Sequence, residues 1–145
     1  MREKKTFLID IGNSFCEYCE LNSNDDYSNR ESIPTELLTH DYVTSIFLDS
    51  TCYISSVVPD KDDLFKNVEN VNSHFANHNL VTDISINLSS PDELGADRLI
   101  NALGAFSVYG GPSLIVDSGT AITFCFVSEE GVYEGGAIFP GMRLC

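Results

Sequence analysis

One turn occurs twice in this chain, and each copy closes a short apolar strand. Phe7-Leu8-Ile9-Asp10-Ile11-Gly12-Asn13-Ser14 stands near the start, and Leu114-Ile115-Val116-Asp117-Ser118-Gly119-Thr120-Ala121 near the end. In both, an apolar run leads into Asp, any residue, Gly and a small polar residue, and a second β-prone run follows. A tight Gly turn presents backbone N–H groups to an anion, and an Asp at the end of a buried strand can hold a cation beside it. Taken singly, such a turn is what any hairpin uses. As a pair, each opening one half of a chain broken at Gly110-Gly111-Pro112, the turns fit a duplicated nucleotide-binding fold with phosphates in a cleft between two related domains.

The chain's 145 residues, 43% hydrophobic, suffice for one ordinary domain or two small ones. No stretch approaches the roughly 20 apolar residues that span a bilayer, and Met1-Arg2-Glu3-Lys4-Lys5 leads into a strand rather than a signal-peptide core, so a cytoplasmic protein without membrane partners is expected. A net charge of −14 with only eight Lys and Arg argues against nucleic acid as a partner. Between Lys66 and Arg143 the sole Lys or Arg is Arg98, amid Asp83, Asp92, Glu93, Asp97, Asp117, Glu129, Glu130 and Glu134. Such an Arg is either an ion-pair partner or the fork that takes a substrate carboxylate.

The five cysteines, Cys16, Cys19, Cys52, Cys125 and Cys145, lack a metal-ligand pattern and read as reduced thiols. Cys16 and Cys19 form a C-x-x-C but point to opposite faces of a strand, which argues against a zinc or redox role. His40, His74 and His78 read as surface or satisfied histidines.

Periodicity predicts strands near 6–11, 14–21, 45–48 and 52–57, a helix over about 60–77 and a strand-like segment at 80–88, with 22–44 a loop holding at most one short strand. A helix over 91–108 is expected, with Ser90 and Glu93 forming a capping box and Pro91 in the first turn. Its apolar stripe of Leu99, Ala102, Leu103 and Phe106 would leave Asp97 and Asn101 facing away from the core. That face is either simply solvated or available for chemistry, and Gly95-Ala96 beside it permits close approach of a ligand. Strands near 113–117, 120–127 and 131–139 follow, and Pro140-Gly141 opens a further helix. On these readings the second half is the front portion of a domain.

Five segments in order carry a resemblance. Asp10-Ile11-Gly12-Asn13-Ser14, Ile54-Ser55-Ser56-Val57-Val58-Pro59, Leu94-Gly95-Ala96-Asp97-Arg98, Asp117-Ser118-Gly119-Thr120-Ala121-Ile122-Thr123 and Gly135-Gly136-Ala137-Ile138-Phe139-Pro140-Gly141 together resemble the signature of type III pantothenate kinases, in the acetate and sugar kinase/actin/heat-shock chaperone superfamily. The resemblance runs from residue 6 to residue 144. It implies an α/β fold of two ribonuclease-H-like (actin-like ATPase) domains with mixed sheets, divided here as 1–111 and 112–145. Because members run on past this point, it also implies that the second domain is incomplete in this chain.

The implied activity is ATP-dependent phosphorylation of pantothenate to 4′-phosphopantothenate, the first step of coenzyme A biosynthesis. By position, the resemblance implies ATP contacts from Asp10, Ile11, Gly12, Asn13, Ser14, Phe15, Cys16, Glu17, Gly119 and Thr120, with Asp10 directed to magnesium–ATP. Gly95, Ala96, Asp97 and Arg98 match the pantothenate segment, with Asp97 the general base. Asp117 matches the ligand of a monovalent cation, K+ or NH4+. A homodimer sharing the substrate pocket is implied. A Tyr that often precedes the substrate segment is not evident among Ile84 to Ser90. Two other readings stand beside the kinase: a non-catalytic nucleotide-binding regulator of the same fold, and an inactive piece that self-associates through an uncovered sheet face.

Overall fold

A computed structural model describes residues 4–24, 26–28, 30–79 and 83–141. The chain forms two compact units, residues 1–76 and 77–145, each with its own sheet and core. This division falls ahead of the Gly110-Gly111-Pro112 break used in the sequence reading. The helix that precedes the break packs on strands that follow it, so contact groups the two together.

The first unit is built around β1 (Thr6–Ile11), which pairs antiparallel with β2 (Phe15–Leu21) and parallel with β4 (Thr51–Ser56). Strand β3 (Glu31–Pro34) extends the sheet beyond β2, and β5 (Asn72–Phe75) extends it beyond β4, giving the order β3-β2-β1-β4-β5. Phe7, Ile9 and Ile11 alternate inward with Cys52 and Ile54 of β4, and helices α1 (His40–Phe47) and α2 (Pro59–Lys66) supply Val43, Phe47 and Phe65 to the same core. Phe47 is its hub. Its ring meets Phe7 and Tyr18 edge-on, with centroids at 5.0 and 5.1 Å, and Phe65 at 5.5 Å.

Three expectations for this unit fail on tertiary grounds. Residues 45–47 are the last turn of α1 rather than a strand. Thr39 caps that helix by accepting from the Tyr42 N–H at 3.2 Å, and the buried pair Val43 and Phe47 has helical spacing. The helix expected over 60–77 ends at Lys66, because Asn70 enters the left-handed region (φ 67°) and Asn72–Phe75 then joins the ladder of β4. The stretch 22–44, expected as loop with at most one short strand, does hold the short strand β3, but it also contains the start of α1 and a 3-10 turn at Thr35–Leu37.

In the second unit β7 (Ser113–Ser118), β8 (Ala121–Val127) and β9 (Val132–Pro140) form an antiparallel meander. The two-residue β6 (Ser85–Ile86) adds in parallel to β9, within the stretch expected to be extended over 80–88; residues 80–82 of that stretch lie outside the described residues. Helix α3 (Ala96–Tyr109) covers one face, burying Leu99 and Ala102 with Cys125, Val127 and Tyr133, while Leu103 and Phe106 pack beside them as the apolar stripe requires. The opposite face carries Leu114, Val116, Phe126 and Phe139, all exposed, and Phe124, whose ring meets Phe139 edge-on at 5.7 Å. The helix expected after Pro140-Gly141 falls on residues outside those described.

Helix α3 starts later than its capping signals suggest. Pro91–Glu93 is a separate 3-10 turn, Leu94 is extended, and Ser90 makes no side-chain cap, so the Ser90/Glu93 capping box does not form. Gly95 (φ −56°, ψ 139°) is the N-cap instead, which puts Asp97 in the first turn of α3.

The described cysteines Cys16, Cys19, Cys52 and Cys125 are free thiols; Cys145 lies outside the described residues. Burial pushes the Cys16 thiol up to about 12, and the charges of Asp10 and Glu17 push in the same direction. No helix among the described residues is long and apolar enough to cross a membrane.

Two measurements test this core. Phe47→Ala removes the aromatic hub and is expected to cost about 3–5 kcal/mol, read as a lowered urea midpoint by circular dichroism; a midpoint equal to wild type contradicts the hub. An unfolded cysteine ionises near 9.0 and folded Cys16 near about 12, so the folded state holds that proton more tightly. The resulting stability is complete below pH 9 and is lost as pH rises from 9 toward 12. Mass-mapped alkylation at pH 9 should accordingly leave native Cys16 unmodified while labelling it in urea.

Candidate active site

The first Asp-x-Gly turn is a hairpin tied down from below. The Gly12 N–H donates to the Phe15 carbonyl at 3.0 Å, closing the turn between β1 and β2. The hydroxyl of Thr35, itself buried, donates to the Gly12 carbonyl at 2.7 Å, and the Thr35 N–H donates to the Ser14 carbonyl at 3.0 Å. A Cβ on Gly12 would stand 3.2 Å from the Phe15 carbonyl oxygen, tighter than ordinary contact, so a glycine suits this turn. Thr35 was not singled out by sequence reasoning; it sits in a segment read as loop.

Strand alternation then sorts the residues of this hairpin. Ile11 and Cys16 are fully buried on the core face, so only their backbone can serve a ligand. Asn13, Ser14 and Phe15 are exposed at the tip. Asp10 lies on the opposite face from Ile9 and Ile11, in register with Glu17 of β2 and Ser55 of β4. Glu17 pairs with Arg30, and the Ser55 hydroxyl is buried with no hydrogen-bond partner among the described residues. The rise in the Cys16 pKa owes part of its size to Asp10 and Glu17, which marks this end of the sheet as a region of negative field.

A cation is attracted to such a field. Among the described residues no cluster of three or more His, Cys, Asp or Glu could hold a metal ion by itself. A single carboxylate beside N–H groups of a turn fits a metal that arrives already held by phosphates, since Mg2+ is commonly bound by one or two carboxylates together with phosphate oxygens and water.

The second turn has a comparable build. The Gly119 N–H donates to the Ala121 carbonyl at 2.9 Å, and the Gly141 N–H donates to the Thr120 carbonyl at 3.1 Å. The end of β9 therefore lies directly on the turn: a Cβ on Gly141 would collide with the Thr120 carbonyl oxygen. Asp117 is exposed near the end of β7, and its Oδ2 accepts from the Asn101 side-chain amide at 3.2 Å. Asn101 is one turn beyond Asp97 on α3, so Asp97, Asn101 and Asp117 line one end of this unit. The i, i+4 spacing from Asp97 was the available signal for Asn101.

Asp97 is half-buried, and its Oδ1 accepts from the Arg98 N–H at 2.7 Å. Arg98 has no carboxylate within salt-bridge distance among the described residues. Instead its Nε–H donates to the Cys125 sulfur at 3.3 Å, and its guanidinium carbon lies 6.0 Å from the centre of the Tyr133 ring. The Tyr133 hydroxyl donates to the same sulfur at 3.3 Å.

Arg98 also lines a cleft of about 340 Å3. Leu88 and Leu94 give it apolar walls, Ser90 and Glu93 polar ones, and Gly136 its bare backbone. A Cβ on Gly136 would collide with the Phe124 carbonyl, so a side chain is excluded there and β8 and β9 approach closely at that point. The arrangement offers a cation, a carboxylate at a helix start and a half-apolar cleft within one unit.

The family model of type III pantothenate kinase matches residues 6–145. The type III pantothenate kinase of Caulobacter vibrioides is 44% identical over 95 residues, covering 63% of this chain and 36% of that protein. That of Phenylobacterium zucineum is 42% identical over 97 residues, 64% of this chain and 38% of that protein, and that of Listeria monocytogenes serotype 4a is 39% identical over 95 residues, 63% and 37%. The matches thus span less than two fifths of these relatives' length. Among solved structures, a Sinorhizobium meliloti protein described as a 2-dehydro-3-deoxygalactonokinase superposes with a TM-score of 0.60 at 11% identity, over 93% of this chain and 53% of that one. An Aquifex aeolicus Ppx/GppA phosphatase gives 0.50 at 9% identity, over 97% and 54%. These likenesses concern the fold, an α/β architecture of mixed sheets of the actin-like ATPase kind. Matched over residues 6–145, the chain belongs to the type III pantothenate kinase family.

Proposed function

We propose that the protein containing this chain transfers the γ-phosphate of ATP to the primary hydroxyl of pantothenate, giving 4′-phosphopantothenate and ADP at the entry to coenzyme A synthesis. The observation that carries the reading is Asp97: a half-buried carboxylate in the first turn of α3, next to an Arg that has no carboxylate partner among the described residues, within the segment matched to the family.

Asp97 accepts the hydroxyl proton as the alcohol oxygen forms its bond to the γ-phosphorus, and the bond from phosphorus to the bridging oxygen of ADP breaks. Gly95 and Ala96 keep the approach to Asp97 narrow in side-chain bulk, and Arg98 takes the substrate carboxylate. The hairpin of Gly12, Asn13, Ser14 and Phe15 receives ATP phosphates through its N–H groups and tip side chains, and the backbone of Ile11 and Cys16 with Glu17 completes its flanks. Gly119 and Thr120 serve the nucleotide from the second turn. Asp10 would hold Mg2+ arriving with ATP, and Asp117 would hold K+ or NH4+; when bound, these cations would offset phosphate charge. We place the protein in the cytoplasm as a homodimer, in keeping with the family resemblance.

Asp97→Asn in the full-length protein is expected to reduce phosphorylation by at least about 10²-fold while ATP affinity changes little, as expected of a positioned base. Turnover of isotope-labelled ATP at the wild-type rate would remove Asp97 from that role. Turnover should also fall when K+ and NH4+ are replaced by Na+, and Asp117→Ala should abolish the difference between these salts; indifference of wild type to the exchange would remove the cation assignment.

A further inference from the structure

Cys125 lies 27 positions beyond Arg98 in sequence. It belongs to none of the motifs that mark the family resemblance beyond its strand, yet it is the residue that meets the Arg98 side chain. Its sulfur receives two donors, the Arg98 Nε–H and the Tyr133 hydroxyl, each at 3.3 Å. Both Cys125 and Tyr133 are buried in the core beneath α3, where Tyr133 is fully enclosed and Cys125 nearly so. Burial raises the Tyr133 pKa, and the hydrogen bond to Cys125 acts in the same direction, so the phenol remains a donor throughout the physiological range.

A guanidinium has five N–H donors in a rigid plane. Engaging Nε fixes that plane at its inner edge, where the Tyr133 hydroxyl is also a hydrogen-bonding neighbour, and turns the outer Nη–H donors toward a partner. Their orientation is constrained by groups that belong to the core of the sheet. An Arg side chain carries about 2 kcal/mol of rotamer entropy, and holding it in place beforehand lowers what a ligand must supply on binding. A carboxylate at this position would compete for Nε instead of leaving it oriented, whereas a thiol is a weak acceptor that orients the fork without neutralising it.

We propose that Cys125, supported by Tyr133, is a positioning residue for Arg98, setting its guanidinium to take the carboxylate end of a small polar acid in the cleft lined by Leu88, Ser90, Glu93, Leu94 and Gly136. The identity of that acid as pantothenate rests on the function proposed above; the clamp itself does not.

The test uses the 145-residue chain and two independent readouts. In a 15N-correlated spectrum, the Nε–H signal of Arg98 is identified by its absence in R98K. In wild type this proton should exchange slowly with water; in C125A it should exchange at least about tenfold faster, and in C125S, which keeps an acceptor, it should remain protected. Exchange in C125A equal to wild type overturns the clamp. Calorimetry with pantothenate supplies the second readout. Binding about tenfold weaker in C125A and restored to within about threefold in C125S supports the positioning role, and equal affinity of wild type and C125A overturns it. If the wild-type chain binds no pantothenate while the Nε–H pattern holds, the ligand assignment fails for this chain and the clamp stands.

Discussion

Strand β1 is the constraint on which the first unit depends, because it is hydrogen-bonded on both sides and must therefore commit every residue to one face. Phe7, Ile9 and Ile11 go to the core under α1 and α2, and by the same period of two Asp10 goes to the other face. A slip of one residue would bury the carboxylate and expose three large apolar side chains. The position of Asp10 is thus fixed by the burial of its neighbours, and the hairpin at Gly12 inherits its location from the same register. Thr35 adds the last restraint, since its two hydrogen bonds hold the turn against the chain that enters α1.

The second unit fixes its carboxylates by a different device. Leu94 and Gly95 are extended, so α3 begins abruptly, and its first turn carries Asp97 with the positive end of the helix dipole behind it. Leu99 and Ala102 then anchor the helix to β7 and β8. Asn101 reaches Asp117, so a residue on the helix and one near the end of a strand are tied by a side-chain bond as well as by packing.

What the sequence makes legible here is whatever depends on neighbours along the chain. Both hairpins, the inward alternation of β1 and the apolar stripe of α3 are patterns of period two or 3.6 within short windows, and they are visible in Phe7-x-Ile9-x-Ile11 or in Leu99, Ala102, Leu103 and Phe106. Elements decided by distant partners are not. Asn72–Phe75 has apolar spacing that also suits a helix, and only the parallel ladder to β4 makes it a strand. In α1 the β-prone run Ser45-Ile46-Phe47-Leu48 hides the helical pair Val43 and Phe47, whose value lies in reaching Phe7 and Tyr18. Ser90 and Glu93 satisfy a local capping rule, yet Pro91–Glu93 closes as its own turn and the helix starts again after Gly95. At the site, Arg98 stands out by composition and Asp97 by its place opposite the apolar stripe of α3, whereas Cys125 and Tyr133 are found only from inward parity on β8 and β9.

The outer face of the β7–β8–β9 meander sets the colloidal behaviour of this chain. Leu114, Val116, Phe126 and Phe139 present apolar surface to water, which attracts like surface at contact distance. A net charge of −14 opposes this from farther away, because copies must approach through their mutual repulsion before apolar atoms can meet. Salt acts on the two forces unequally. Raising ionic strength from 0.01 to 0.15 M shortens the range of the repulsion from about 30 Å to about 8 Å, while the apolar attraction is left intact. For a chain so constituted, dilute buffer at neutral pH gives the repulsion its longest reach, and added salt or acid, each removing effective charge, weakens it.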